Sequence, residues 1–216
     1  MMTLNSHFNK IYCINLDRRT DRWEECLIEF KKHNLDVQRF SAIDGRNLQE
    51  SSEVLSVPGL TLGNIGAIYS HRALIQYAKD NNFENILILE DDVEFHENVN
   101  QMFLDYIVDV PSDWDMVFFG GNHSENNVWM TEPLIPVTEH VYKIIRSYAN
   151  HCYAVKNTAY NKLIKALSRK DKPNDVLVSD IQKELNCYLF RPHLAWQRPS
   201  YSDLQEEFTE YSFLKK

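Results

Sequence analysis

The chain has 216 residues, enough for one α/β domain with a full core and short for two. Its formal net charge of −8 and the lack of a basic stripe argue against nucleic acid or an anionic membrane surface as partner. No apolar run approaches the ~20 residues that cross a bilayer, and the N-terminal stretch is too polar for a signal peptide.

The four cysteines, Cys13, Cys26, Cys152 and Cys187, show no C-x-x-C spacing. Several sit in apolar, strand-like stretches, which predicts buried free thiols and a reducing, cytoplasmic setting.

Lys10 to Leu16 (KIYCINL) reads as a first strand, apolar enough to be buried on both faces. The next stretch switches to helical period, with Trp23, Cys26, Leu27 and Phe30 on one face and charges on the other. Val37 to Ile43 returns to strand character and ends at the Asp44-Gly45 turn. Gln49 to Leu62 is polar and reads as a loop with room for one short helix. Gly63 to Asn82 is helical, with an apolar stripe of Ile65, Ile68, Tyr69, Ala73, Leu74 and Tyr77.

Asn85 to Leu89 (NILIL) is the clearest buried strand, and it runs straight into Glu90-Asp91-Asp92. A helix over Asn98 to Val108 and a strand over Asp115 to Phe119, ending at Gly120-Gly121, follow. This alternation predicts parallel crossovers and a Rossmann-like, mostly parallel sheet flanked by helices. The C-terminal half is less regular. Strands are expected at Val141 to Arg146 and His151 to Val155, in antiparallel arrangement, and at Tyr188 to Phe190, and helices at Thr158 to Ser168 and Val176 to Leu185. No repeat or linker composition divides the chain, so 1–216 reads as a single domain.

Ligands of open α/β sheets bind outside the carboxyl ends of the strands. The acidic triplet stands at such an end. Period-two alternation would send Glu90 and Asp92 to one side and Asp91 to the other. Two carboxylates on one side suit a hard cation such as Mg²⁺ or Mn²⁺, which in turn bridges phosphate oxygens. A solvated acidic turn accounts for the triplet alone equally well. Asp44 can accept hydrogen bonds from a ribose or base, or simply make an Asp-Gly turn.

Between the first strand and its helix lie Asn15, Arg18 and Arg19. The planar fork of arginine suits a uracil or a diphosphate. The ordinary explanation has Asp17 or Thr20 capping the helix, with Arg18, Arg19 and Arg22 on its solvent face. Gly63 and Gly66 allow close backbone approach at a helix N-terminus, ahead of Ser70 and His71.

In this order the pieces resemble glycosyltransferase family 25, which includes lipopolysaccharide galactosyltransferases and collagen galactosyltransferases. The matching segments are INLDRRTDRW (Ile14 to Trp23), SAIDG (Ser41 to Gly45), GNIGAIYSH (Gly63 to His71), LILEDDV (Leu87 to Val93), DMVFFGG (Asp115 to Gly121), HCYAV (His151 to Val155) and RPHLAWQRPSYSDLQ (Arg191 to Gln205). Ala67 stands where the pattern has a cysteine, a mild change on a helix face.

The resemblance implies a GT-A type fold with an acceptor-binding C-terminal half, a UDP-sugar donor (usually UDP-galactose) and Mn²⁺ or Mg²⁺. The acceptor would be a glycan or a hydroxylysine. Glu90, Asp91 and Asp92 would stand at the diphosphate and metal, and the first-strand loop and Asp44 near the nucleoside. His193 is a further candidate metal ligand. A β-linked product would require inversion and one base on the acceptor hydroxyl, for which Asp175 and Asp180 are the candidates, with Asp175 favoured because it follows Lys172-Pro173-Asn174, where a loop enters a helix. Two other readings keep part of this chemistry: a nucleotide-sugar-binding pseudoenzyme, and a metal-dependent phosphohydrolase or nucleotidyltransferase. The nucleotidyltransferase should carry a glycine-rich basic loop after the first strand, and the loop here has arginines but no glycine.

Overall fold

The computed structural model describes residues 3–49, 57–123, 133–203, 207–211 and 215. The short helix expected between Gln49 and Leu62 falls mainly on residues outside this set. A short helix α1 (Leu4–His7) leads into strand β1 (Lys10–Asn15) and helix α2 (Thr20–Lys32). Strand β2 (Gln38–Ser41) follows, then a 3₁₀ turn at Gly45–Asn47 and the long helix α3 (Leu62–Asp80). Strands β3 (Asn85–Glu90) and β4 (Val93–Phe95) precede α4 (Val99–Ile107) and β5 (Met116–Phe118).

The second half contributes β6 (Ile135–Pro136), β7 (Val141–Ile144), β8 (Cys152–Lys156), α5 (Asn157–Ala166) and α6 (Asn174–Gln182). Strands β9 (Cys187–Phe190), β10 (Ala195–Gln197), β11 (Ser200–Ser202) and β12 (Glu207–Thr209) close the described chain.

Eight strands form one sheet in the order β2-β1-β3-β8-β5-β9-β7-β6. The sheet is mixed, which corrects the expectation of a mostly parallel one. β1 pairs parallel with β2 and β3, and β5 with β9. β8 runs antiparallel between β3 and β5, and β7 antiparallel to both β9 and β6. The antiparallel run expected of the strands at Val141 to Arg146 and His151 to Val155 is found in β7 and β8; the insertion of β8 between β3 and β5 is what keeps the sheet from being mostly parallel.

β1 and β3 are buried on both faces. Ile11, Cys13, Leu87 and Leu89 join one core, with Cys26 and Phe30 of α2 and Phe103 of α4. Tyr12, Ile14, Ile86 and Ile88 join the other, with Ile65, Ile68 and Leu74 of α3 and Leu163 and Leu177 of α5 and α6. Helices therefore cover both faces, as the unbroken NILIL run requires. All four cysteines are buried and free.

The α2 stripe is turned from the expected one. Arg22, Cys26 and Phe30 are buried, at spacing i, i+4, i+8, whereas Leu27 is 47% exposed. The chain leaves β1 toward β2 on one side and then returns by way of α3 to β3 on the other. Such a reversal opens a crevice at the carboxyl ends of the strands.

Candidate active site

A cleft of about 360 Å³ lies at that reversal. Its lining comes from the ends of β1 (Ile14, Leu16), the turn after β2 (Ala42 to Gly45), the first turns of α3 and the acidic triplet. Tyr201, Ser202 and Asp203 complete it from the C-terminal side. Of the residues expected from the sequence, Arg18, Asp44, Gly63, Gly66, Ser70, His71, Glu90, Asp91 and Asp92 all line this one cleft.

β3 ends at Glu90, and the chain turns at Asp91-Asp92 before β4. The turn breaks the period-two alternation, so the expected pairing of Glu90 with Asp92 does not occur. Asp91 and Asp92 instead converge on one guanidinium: Arg22 Nε is 2.9 Å from Asp91 Oδ1, and Arg22 Nη2 is 3.0 Å from Asp92 Oδ2. Glu90 goes the other way, with His71 Nε2 3.2 Å from its Oε1.

Asn15 is 1% exposed and does not line the cleft. Its Nδ2 donates to Asp91 Oδ2 at 2.6 Å, so it orients the motif and leaves ligand contact to others. From the C-terminal segment, Gln197 Nε2 donates to Asp92 Oδ2 at 3.3 Å and Arg198 Nη2 to the Asp91 carbonyl at 2.7 Å. β10 brings these two there by pairing antiparallel with β4, Gln197 opposite Val93.

These surroundings set the charges. Burial pushes the Asp91 carboxyl up to about 6, against the pull of Arg22 and with the push of the Asp92 charge. Burial also opposes the charge on Glu90, but the hydrogen bond and charge of His71 outweigh it and hold its pKa below the ordinary value. Hydrogen bonds from Arg46 hold Asp44 well below the usual carboxylate range despite partial burial, and Arg18 adds to them.

Among the described residues no group of three His, Cys, Asp or Glu side chains is arranged to hold a metal. His193 does not line the cleft, which corrects its candidacy; the segment reaches the acidic turn through Gln197 and Arg198 instead. A cation bound with a diphosphate needs fewer protein ligands, since Mg²⁺ commonly takes one or two carboxylates and the phosphates supply the rest. Asp91 and Asp92 fit that demand, and Asp92 Oδ1 is a buried oxygen without a hydrogen-bond partner.

The arginines of the first loop are engaged by carboxylates. Arg18 contacts Asp44 through Nε at 3.0 Å and Asp203 through Nη2 at 2.9 Å. Arg19 pairs with Asp21 and Asp203 and does not line the cleft. Neither Asp17 nor Thr20 caps α2: its N-cap is Arg19, without a side-chain cap bond, and Asp17 pairs with Arg39 and Ser41. Arg22 is not on the solvent face.

Gly66 has a structural reason of its own. A Cβ there would stand 2.6 Å from the Ile43 carbonyl oxygen and 2.7 Å from Gly45 N, so the glycines bring α3 against the Asp44-Gly45 turn. Ser70 ties the same joint, donating to the Gly66 carbonyl at 2.6 Å and accepting from Ile43 N at 2.8 Å.

Asp175 and Asp180 part company. Asp180 lies within 3.5 Å of Arg146, 3.2 Å of Arg169 and 2.6 Å of Lys172, an ion cluster outside the cleft lining. Its pKa is lowered, the pull of these cations exceeding the opposing effect of partial burial, so a base role does not suit it. Asp175 sits in the first turn of α6 and accepts from Ala149 N at 3.3 Å and Val176 N at 2.9 Å. Burial raises its pKa, those amides lower it, and the charge of Glu90 adds to the rise. It does not line the cleft directly.

Arg22, Gln197, Arg198, Asp203 and Tyr153 were not singled out from the sequence. All five lie in segments that resemble the family, but only Arg22 carried a signal in the periodicity of its own element: it is four residues before Cys26 on the face that goes inward.

The model of the family described as glycosyltransferase family 25 (LPS biosynthesis protein) matches residues 8–178. The chain belongs to glycosyltransferase family 25. Among curated proteins, it is similar to a glycosyltransferase 25 family member of Anopheles gambiae, 28% identical over 170 residues, covering 72% of this chain and 28% of that protein. It is also similar to procollagen galactosyltransferase 2 of Mus musculus, 27% identical over 175 residues, 74% of this chain and 28% of that one. The chain thus spans well under a third of the length of these relatives. Among solved structures, a glycosyltransferase involved in glycosylation of the major capsid of PBCV-1 superposes with a TM-score of 0.42 at 12% identity, covering 76% of this chain and 66% of that one.

Proposed function

We propose that this chain is a metal-assisted glycosyltransferase of GT-A type that moves galactose from UDP-galactose to a hydroxyl of a glycan or hydroxylysine. The observation that carries the reading is the convergence of Asp91 and Asp92 at the carboxyl end of β3, in the cleft that the first turns of α3 also line. The positive end of the α3 dipole suits a diphosphate on that wall, where Thr61 already caps the Asn64 N–H. Mn²⁺ or Mg²⁺, held by Asp91 and Asp92, would neutralise charge on the departing diphosphate. The similarity to procollagen galactosyltransferase 2 of Mus musculus supports galactose and a collagen acceptor.

In this mechanism the acceptor oxygen bonds to the anomeric carbon as the bond from that carbon to the diphosphate oxygen breaks. The acceptor's proton goes to a carboxylate on the far side of the ring, giving inversion. Asp175, which lies outside the cleft lining, is our candidate for that base, because burial raises its pKa and among the described residues no cation pairs with it. Arg18 reaches the diphosphate by exchanging one of its two carboxylate partners. The four buried free thiols go with a reducing, cytoplasmic setting.

The test is a donor screen with Mn²⁺, following UDP release with and without acceptors. Release that requires both metal and acceptor is the expected result. Undiminished release in EDTA would remove the metal from the reading. Equal release without acceptor would make the chain a hydrolase, and binding without release a pseudoenzyme.

A further inference from the structure

Glu90 is held by different chemistry from its two neighbours. Asp91 and Asp92 share Arg22, while Glu90 turns to the His71 side of the strand end. His71 is itself fixed. Tyr153 Oη lies 2.8 Å from its Nδ1, and the two rings stack with centroids 5.8 Å apart and 13° between their planes. His71 is 1% exposed and Tyr153 fully buried.

An ionised carboxylate only accepts hydrogen bonds, so the ring nitrogen facing Glu90 carries a proton, and the Tyr153 hydroxyl meets the ring's other nitrogen. Two hydrogen bonds in series therefore fix Oε1 of Glu90. Its side chain remains 25% exposed and lines the cleft, and among the described residues Oε2 accepts no hydrogen bond.

We propose that His71 and Tyr153 are positioning residues that aim Glu90 at a hydroxyl of the transferred sugar, so that Glu90 reads the sugar and leaves the diphosphate to Asp91 and Asp92. This rests on the nucleotide-sugar reading above. A carboxylate tethered through one oxygen has its other oxygen confined to a narrow range of directions. It accepts well from a hydroxyl of one orientation and poorly from its epimer, and a polar site left unmatched discriminates far more strongly than an apolar pocket. Ordering Glu90 beforehand also removes the entropy lost in fixing a long side chain on binding.

Calorimetry in Mn²⁺ with UDP, UDP-galactose and UDP-glucose tests this on the wild type, Glu90→Gln, His71→Phe, His71→Gln and Tyr153→Phe. Glu90→Gln is expected to bind UDP as the wild type does. It should lose on the order of tenfold in affinity for the preferred nucleotide sugar, narrowing the ratio between the epimers. His71→Phe should narrow the ratio in the same way, and His71→Gln, which returns an N–H donor, should restore part of it. Tyr153→Phe keeps the stacking and should shift the ratio in the same direction by less.

An unchanged epimer ratio in Glu90→Gln overturns the proposal, even if the histidine variants fail to fold. So does an equal loss for UDP and for both nucleotide sugars, which would put Glu90 on the diphosphate or metal. A wild-type chain that binds none of the three ligands overturns the donor reading, and this inference with it.

Discussion

The acidic turn after β3 and the first turn of α6 both bury carboxylates, and they stabilise them by opposite means. At the turn, Asp91 and Asp92 are held by side chains from three separate segments: Asn15 from β1, Arg22 from α2, and Gln197 from β10. In α6, Asp175 is held, among the described residues, by backbone amides alone. Positive side chains stabilise charge, and a cation or diphosphate must displace or join them. Amides without a cation leave a carboxyl easier to protonate. The first arrangement suits holding charge throughout a reaction, and the second suits taking up a proton.

The largest effect should come from the turn. Asp92→Asn removes one of the two carboxylates proposed for the metal and should lower transfer roughly 10³-fold while leaving the fold intact. Single-turnover rates with and without Mn²⁺ measure this, and wild-type turnover by the variant would erase the functional contrast between the two regions.

Arg22 sharpens the contrast through stability. Arg22→Met keeps the length and apolar stem of the side chain but strands two buried carboxylates. The loss should be about 3 kcal/mol in urea unfolding, because the unpaired partners, more than the lost pair, determine the cost. Added Mn²⁺ should restore part of it by replacing the missing charge. A variant as stable as the wild type, or one indifferent to Mn²⁺, would mean that Arg22 does not neutralise the turn.

On the α6 side, Asp175→Asn and Asp180→Asn should differ. Asp175→Asn is expected to lower transfer on the order of 10²-fold at saturating donor with near-normal UDP-sugar affinity. Asp180→Asn breaks contacts of partly exposed cations and should leave transfer within about twofold of wild type. Equal, small losses in both would move the search for the base elsewhere.

How much of this was legible in the sequence follows from the kind of signal. The nucleotide side was legible because its residues sit at strand ends, and strand ends are marked by apolar runs such as NILIL breaking into polar ones. The cleft therefore gathered Arg18, Asp44, His71 and the acidic triplet from separate motifs. The antiparallel run of the C-terminal strands was legible, but the place of β8 between β3 and β5 was not, because an apolar run does not name its neighbours. Nor were the partners of the triplet. Arg22 reads as one more charge on a charged helix until the buried spacing of Cys26 and Phe30 turns it inward. Gln197 and Arg198 reach Asp92 and Asp91 only through the pairing of β10 with β4, a contact about a hundred residues apart in the chain. The loop entering a helix already favoured Asp175 over Asp180, and the cations gathered around Asp180 separated the two further.

The smallest expected effect concerns pH, and it tests whether the acidic turn changes its protonation when a metal binds. Asp91 is pushed up to about 6, chiefly by burial. The sign follows directly: a carboxyl with a raised pKa keeps its proton to higher pH, so at pH 5 Asp91 is mostly neutral and at pH 7 mostly charged. A cation takes the charged form, so binding below about pH 6 must expel that proton. Mn²⁺ affinity should therefore rise roughly tenfold from pH 5 to pH 7, levelling off above the pKa. Close to one proton should be released per ion at pH 5 and little at pH 7. Calorimetry in two buffers of different ionisation heat measures both quantities. In Asp91→Asn the slope and the proton release should vanish together. An affinity that stays flat between pH 5 and pH 7 in the wild type, with no proton released, would mean that Arg22 keeps Asp91 charged throughout. The turn would then differ from Asp175 in protonation as well as in partners, and burial would not be the dominant influence at the strand end.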